Sequence, residues 1–276
     1  MHAELRALTR RIVLRRIITR IWQDFGDYDL LTYSSAIAFQ ILYAVVPLVL
    51  VGLGGLGILG FRSVYTQHIA PTLERDLSHD GYAIANRTAL HVLGPERIWW
   101  VTAGLLVTVW GVGAGLRSTM KPLNGIYGAR EHRGYKQRLV TSLLGGLAVI
   151  VCLYGAFLLE LAGRLAHFSQ PWQALFDVAR WLGTFLLLLV VIAVMIRFVP
   201  AKKRPIEWVT IGSLISAICW LVGTVGFGAY ISAISYSSFY GALATVILLL
   251  IYLHVAAIAF LLGASIDAQL RDELDR

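Results

Sequence analysis

The chain has 276 residues, of which 58% are apolar and 14% charged, and its formal net charge is +8. A soluble domain carries roughly 45–50% apolar and about 25% charged residues, so both departures point to lipid as the solvent and argue against a soluble enzyme. In a soluble protein the positive excess would point to nucleic acid. Here it reads first as the Lys and Arg bias of cytoplasmic loops.

In chain order, residues 1–35 read as a cytoplasmic interfacial arm. Arginines persist to Arg20, and Asp24, Asp27 and Asp29 follow before the first long apolar run, which is not the pattern of a signal peptide. Leu14, Ile17, Ile18, Ile21 and Phe25 fall within about 100° of arc at helical spacing, with Arg15, Arg16 and Arg20 opposite. This predicts an amphipathic helix over Arg6–Phe25 lying along the inner face, basic side toward anionic headgroups. A solvated basic arm is the alternative.

Six apolar runs follow: Ala36–Gly60, Ile98–Leu116, Leu139–Gly163, Val178–Phe198, Ile206–Tyr230 and Gly241–Ile266. Each has about the 20 residues that a helix needs to cross hydrocarbon. Each must be helical, because lipid offers no partner to a free backbone N–H or C=O. The ten-residue alternation of a membrane β-barrel is missing. The predicted fold is therefore an all-α integral membrane protein, a six-transmembrane-helix bundle forming a single membrane domain over 1–276. The outer loop 61–97 mixes acids with apolar residues and is expected to fold as short helices over the bundle mouth. Eighteen Lys and Arg residues fall in the arm, the loops after the second and fourth runs, and the tail, against six on the other side. That split places both termini in the cytoplasm.

Most motifs read as packing. Gly52-Leu53-Gly54-Gly55-Leu56-Gly57 matches the letters of a dinucleotide motif, but it lies within a span rather than after a strand. Glycines there let helices approach closely, as do Gly111 and Gly115 in the second run. Gly241, Thr245, Tyr252, Ala256, Ala259 and Gly263 form a small-residue face on the last run, and His254 lies opposite it near mid-depth. An ionisable residue at that depth is a functional candidate, and a neutral histidine bonded to a backbone carbonyl is the structural alternative. Cys152 and Cys219 sit in apolar runs, with no disulfide expected and no C-x-x-C metal spacing. Asn86-Arg87-Thr88 fits a glycosylation sequon that matters only in a eukaryotic secretory pathway.

The first run carries the most information. Tyr33, Ala36, Gln40, Tyr43 and Pro47 fall within about 80° of arc, giving one polar, aromatic, proline-broken stripe on an apolar helix. A buried amide needs a partner in lipid, and Pro47 removes one helical hydrogen bond. The stripe is either the wall of a substrate path or a helix interface. Glu160 and Arg164, spaced i, i+4, read as an ion pair or a lip of the outer mouth. Asn124, flanked by Pro122 and Gly125 with Gly128 following, reads as a turn at the inner mouth.

These stretches resemble a known family. Tyr33–Pro47 (YSSAIAFQILYAVVP), Leu116–Arg138 (LRSTMKPLNGIYGAREHRGYKQR), Phe198–Pro200 and Ser237–Asp267 (SSFYGALATVILLLIYLHVAAIAFLLGASID) are similar to the YihY/BrkB family of bacterial inner-membrane proteins, once labelled ribonuclease BN. Leu123-Asn124-Gly125-Ile126-Tyr127-Gly128 and the Tyr240-Gly241 start of the last run are the most specific. The resemblance implies a six-helix inner-membrane protein and, from descriptions of the family, a role in envelope lipid transport. A nuclease needs clustered acid/base or metal-binding groups. The inner segments between runs offer His132 with Glu131 beside it and no carboxylate cluster. No P-loop is present, and no catalytic residue, cofactor or metal is expected.

Two readings follow. In the first, the protein is a transporter or translocator of an amphipathic lipid or lipid-linked envelope substrate. Tyr33, Gln40, Tyr43, Pro47 and His254 then line its path, Arg117, Lys121, Asn124, Tyr127, Arg130 and Arg133 form the inner rim, and Glu160 and Arg164 form the outer mouth. In the second, it is a non-transporting envelope scaffold or adaptor. Membrane lipids with anionic headgroups at the cytoplasmic face are the expected partners, with a homo-oligomer as a further option and no nucleic acid. The topology is testable. A cysteine placed at Ser78 should be labelled from outside intact cells, and one placed at Tyr135 should not; the reverse pattern inverts the orientation.

Overall fold

The computed structural model describes residues 16, 18–76, 79–93, 98–165, 172–201, 209–233 and 241–274. These residues are almost wholly helical, with no strand among them. A helix over 18–27 (α1) turns at Tyr28 and Asp29 into α2 (Leu30–Ile58). A short cap follows: α3 (Arg62–Val64), a π-helical turn (Tyr65–Ile69), α4 (Ala70–Asp76) and α5 (His79–Val92). Then come α6 (Ile98–Ile126), α7 (Tyr135–Leu165), α8 (Trp172–Phe198), α9 (Val209–Ala233) and α10 (Gly241–Leu274). Six of these helices (α2, α6, α7, α8, α9 and α10) are long and apolar enough to cross a membrane.

The six pack as a closed ring, each against its chain neighbour from α6 to α10, with α2 filling the gap between α10 and α6. The α2–α6 contact is the most extensive, and small residues explain it. A side chain on Gly111 would meet Ala44 at 3.2 Å, and one on Gly115 would lie 3.9 Å from Gln40. A β-carbon at Gly146 would lie 3.1 Å from the Gly113 backbone nitrogen, so the pair joins α7 closely to α6. The small face of α10 meets α9: Gly263 lies against Ser216, and Tyr252 shares a 3.1 Å hydrogen bond with Thr224. The glycines of α2 are packing surfaces as well. Gly52 admits Tyr154 of α7, Gly54 admits Val101 of α6, and a β-carbon at Gly57 would lie 2.9 Å from the Leu93 carbonyl oxygen after α5.

The centre of the ring is filled toward the end that carries the α6–α7 turn, here called the basic end. Leu30, Ile37, Leu116, Leu123, Ile196 and Leu261 form one buried cluster there. This extends the sequence reading. Leu116 was expected to end the second span, yet α6 continues to Ile126, and α2 starts at Leu30 rather than Ala36. Hydropathy falls at Arg117, but burial does not: Met120, Leu123, Ile126 and Tyr127 continue the inner face of α6. At the opposite end the cap has its own core of Leu56, Val64, Tyr65, Ala89, Leu93 and Leu161. Tyr65 is fully buried and donates to Asn86 Oδ1 at 3.0 Å, so the sequon asparagine ties the π turn to α5.

Most of the predicted amphipathic arm, Arg6–Phe25, lies outside the described residues. Its described part is α1, which docks on α10 through a buried Asp24. Ser265 Oγ donates to Asp24 Oδ2 at 2.6 Å, and Gln269 Nε2 donates to the same oxygen at 2.9 Å.

Where two backbones touch through glycine, a larger side chain must push them apart, at a cost of about 1–3 kcal/mol or more. Gly263→Leu should therefore lower the thermal stability of the detergent-purified protein. Gly228→Leu, whose position faces open space, should leave the melting temperature within experimental error.

Candidate functional site

At the basic end, α6 closes with the hydrogen bonds of a Schellman cap. Gly128, at φ 56°, donates to the Gly125 carbonyl at 3.0 Å, and Ala129 donates to the Asn124 carbonyl at 2.8 Å. This left-handed position suits glycine. Asn124 thus belongs to the last turns of α6, not to a loop as its flanking residues suggested. Its Nδ2 donates to Glu131 Oε2 at 2.9 Å, and its Oδ1 accepts from the Ala201 N–H at 2.7 Å. Arg133 completes the clasp, donating to Glu131 at 2.9 Å and to the Val199 carbonyl at 2.8 Å. A guanidinium at the C-terminal carbonyls of α8 also complements the helix dipole. The Arg133 guanidinium and hydrogen bonds from its backbone and from Asn124 hold the Glu131 carboxyl down at about 2.

Beside the clasp is a cleft of about 730 Å³. The α1–α2 turn supplies Asp27, Tyr28, Asp29 and Tyr33. The end of α6 supplies Arg117, Met120, Lys121, Asn124 and Gly125, and the start of α7 supplies Tyr135 and Arg138. Tyr28 lies on the Gly125 backbone, 2.6 Å from where a β-carbon would be, which seats the turn on α6. The Lys121 ammonium lies 5.6 Å from the centre of the Tyr33 ring. Arg117 donates to Ser142 Oγ at 2.9 Å and stacks over Trp110 at 5.1 Å. Among the expected rim residues, Arg117, Lys121 and Asn124 line this cleft, while Arg130 is exposed. Arg133 and Tyr127 hold structure instead. Tyr127 is buried and donates to Asp267 Oδ2 at 3.1 Å, and Arg271 meets the same oxygen at 3.3 Å.

The stripe on α2 does not form one continuous wall. It runs along the margin of the α2–α6 contact, and its members part company. Tyr33 lines the basic-end cleft. Gln40 lines a groove of about 630 Å³ between α2 and α10 with Ser35, Phe39 and His254. Pro47 borders an apolar hollow of about 410 Å³ near α5. Tyr43 is 63% exposed on the perimeter of the bundle and lines none of these three hollows. The α6 face of α2 is taken by Ile37, Ala44 and Val51 (all buried), which turns Tyr43 outward. His254 faces α2, its Nδ1 lying 3.3 Å from Ser35 Oγ and 3.5 Å from Ser34 Oγ. Both hydroxyls donate to the Leu31 carbonyl, at 2.7 and 3.1 Å. The histidine's partners are therefore hydroxyls on another helix.

Glu160 has a partner on the next helix. Glu160 meets Arg180 of α8 at 3.5 Å, and Arg180 also reaches Asp177 at 3.5 Å. The Arg164 side chain lies outside the described residues. Arg180 occupies the space over Gly163. Sequence reasoning missed Asp24, Asp27, Tyr28 and Asp29. The one available signal was three aspartates in six residues just before an apolar run. Among the described residues no group of three or more His, Cys, Asp or Glu side chains is placed to hold a metal ion.

The clasp makes two linked expectations. Asn124→Ala strands the Ala201 N–H and leaves Glu131 Oε2 with Arg133 as its one donor, costing about 1–3 kcal/mol, whereas Gln137→Ala at an exposed position should be silent in thermal melts. Glu131 titrates near 2 in the folded protein against an ordinary 4.5. Its contribution is thus complete above pH 4.5 and is lost as pH falls from there toward 2. Glu131→Gln should flatten the acid limb of a stability–pH curve over that window.

The chain spans about three fifths of the length of the curated relatives it matches. A putative ribonuclease-like protein of Bacillus subtilis is 28% identical over 60% of this chain and 64% of its own. A membrane protein of the group UPF0761 from Rhodospirillum centenum is 26% identical over 94% of this chain and 57% of its own. A UPF0761 membrane protein of Stenotrophomonas maltophilia is 25% identical over 91% and 59%. No solved structure matches. The family described as virulence factor BrkB matches residues 21–276, from α1 through the last helix, so this six-span membrane protein belongs to the BrkB family.

Proposed function

We propose that the protein is a translocator of an amphipathic lipid or lipid-linked molecule in the bacterial inner membrane, with its basic end in the cytoplasm. The observation that carries this reading is the depth and charge of the basic-end cleft. The apolar stretch Ile98–Leu116 is about 28 Å long at 1.5 Å per residue, close to the thickness of the hydrocarbon layer. Arg117 is the first charged residue beyond it, so Arg117, Lys121 and Arg138 lie at the level of lipid phosphates. The orientation rests on the distribution of Lys and Arg.

The groove between α2 and α10 extends the reading into the hydrocarbon. Ser35, Gln40 and His254 are polar groups on a lipid-facing margin, the kind of surface along which a headgroup travels more cheaply than through hydrocarbon. The filled centre of the ring favours a route along the bundle's margin over a central pore. It is also the observation that favours the scaffold reading, since a bundle with a filled core can serve as a platform.

Reconstitution separates the two. Proteoliposomes carrying a fluorophore-labelled phospholipid should show protein-dependent exchange between leaflets, scored by a quencher added outside. Arg117→Gln with Lys121→Gln should slow that exchange about tenfold, roughly the effect of losing one charge-assisted hydrogen bond. Correctly folded wild-type protein that leaves exchange at the protein-free rate would put the scaffold reading first.

A further inference from the structure

The cleft holds both signs of charge, and they lie on separate elements. Arg117 and Lys121 come from α6 and Arg138 from α7, while Asp27 and Asp29 come from the α1–α2 turn. Glu131 is a third acid, but Arg133 neutralises it at 2.9 Å. Among the described residues neither Asp27 nor Asp29 closes an ion pair. Lys121 lies over the Tyr33 ring, near enough to Asp29 to be influenced by its charge without pairing with it.

Asp29 is the more telling of the two. It stands at the N-cap of α2, where an aspartate ordinarily accepts a backbone N–H of the first turn. Here its side chain makes no capping bond. Its backbone is left-handed, φ 49° and ψ 40°, and it is the only non-glycine residue with positive φ among the described residues. Aspartate tolerates that conformation less well than glycine does. A residue that holds an unfavourable backbone and gives up its cap, while its carboxylate stays in a charged cleft, is placed as for a ligand.

A purely anionic headgroup would gain from the cationic side and be repelled by Asp27 and Asp29. A dipolar headgroup satisfies both. Carboxylates accept N–H bonds, and a primary ammonium offers three, whereas a quaternary ammonium offers none. We infer that the basic-end cleft binds a zwitterionic phospholipid headgroup carrying a primary ammonium, its phosphate held by Arg117, Lys121 and Arg138 and its ammonium by Asp27 and Asp29. This inference rests on the reading of the cleft as a headgroup site and names the headgroup class.

The test is native mass spectrometry of the full detergent-purified chain. The probes are phosphatidylethanolamine, phosphatidylcholine and phosphatidylglycerol with identical acyl chains. Wild type should retain phosphatidylethanolamine about tenfold more tightly than either other lipid, the scale of a charge-assisted hydrogen bond. Asp27→Asn with Asp29→Asn should bring phosphatidylethanolamine down to the level of phosphatidylglycerol. Asp29→Gly guards against misfolding. Glycine suits φ 49°, so this variant should melt no lower than wild type while still losing selectivity. Arg117→Gln should weaken all three lipids. Equal binding of phosphatidylethanolamine and phosphatidylglycerol, both weakened by Arg117→Gln, would overturn the headgroup assignment and leave the cleft as a lipid site. So would tighter binding of phosphatidylcholine. Binding that ignores Arg117→Gln would overturn both.

Discussion

The close approach of α2 and α6 is the constraint on which the rest of the molecule depends. In hydrocarbon there is no hydrophobic drive between helices, so association relies on backbones coming close enough for dispersion and weak polar contacts. Ala44 against Gly111, with Gly115 one turn further on, provides that approach. Because α2 is held there, its N-terminal turn meets the end of α6 and its far end reaches the cap. The cleft is where the α1–α2 turn and the protruding end of α6 sit side by side.

The helices and their packing faces were legible because both follow from period and composition. Twenty apolar residues specify a span, and small residues at helical spacing specify where helices touch. Gly263 and Tyr252 met α9 as the small face of α10 implied. What was not legible was pairing between distant segments. Asp24 meets Ser265 across 241 positions, and Arg180 of α8 reaches Glu160 of α7. The i, i+4 rule describes an isolated helix and is silent on what a neighbouring helix brings to the same carboxylate. The ends of α2 and α6 were misjudged for a related reason. Hydropathy marks where lipid stops, whereas Leu123 and Tyr127 show that protein–protein burial continues past that level.

The candidate site was legible in part. Arg117, Lys121, Asn124 and Tyr33 do converge, but pattern alone gave no means to tell a lining cation from a structural one. Arg133 and Arg117 look equivalent in sequence. In the fold, Arg133 closes on Glu131 and the α8 carbonyls, and Arg117 borders the cleft. The split stripe on α2 makes the same point. Residues sharing about 80° of helix surface can face three different hollows when the neighbours change along the helix.

The proline in α2 has a mechanical side. Pro47 takes away one rung of the helix near its midpoint, and Gly52, Gly54, Gly55 and Gly57 follow with no side chains to stiffen the next two turns. Tyr154 of α7 grips the Leu48 carbonyl at 2.5 Å, just past the proline. α2 is thus built as two rods joined at a compliant elbow, with α7 gripping the joint. One rod belongs to the ring and the cleft, the other to the cap. Bending of α2 is cheapest at that elbow, so it is there that the helix can adjust its direction between cleft and cap.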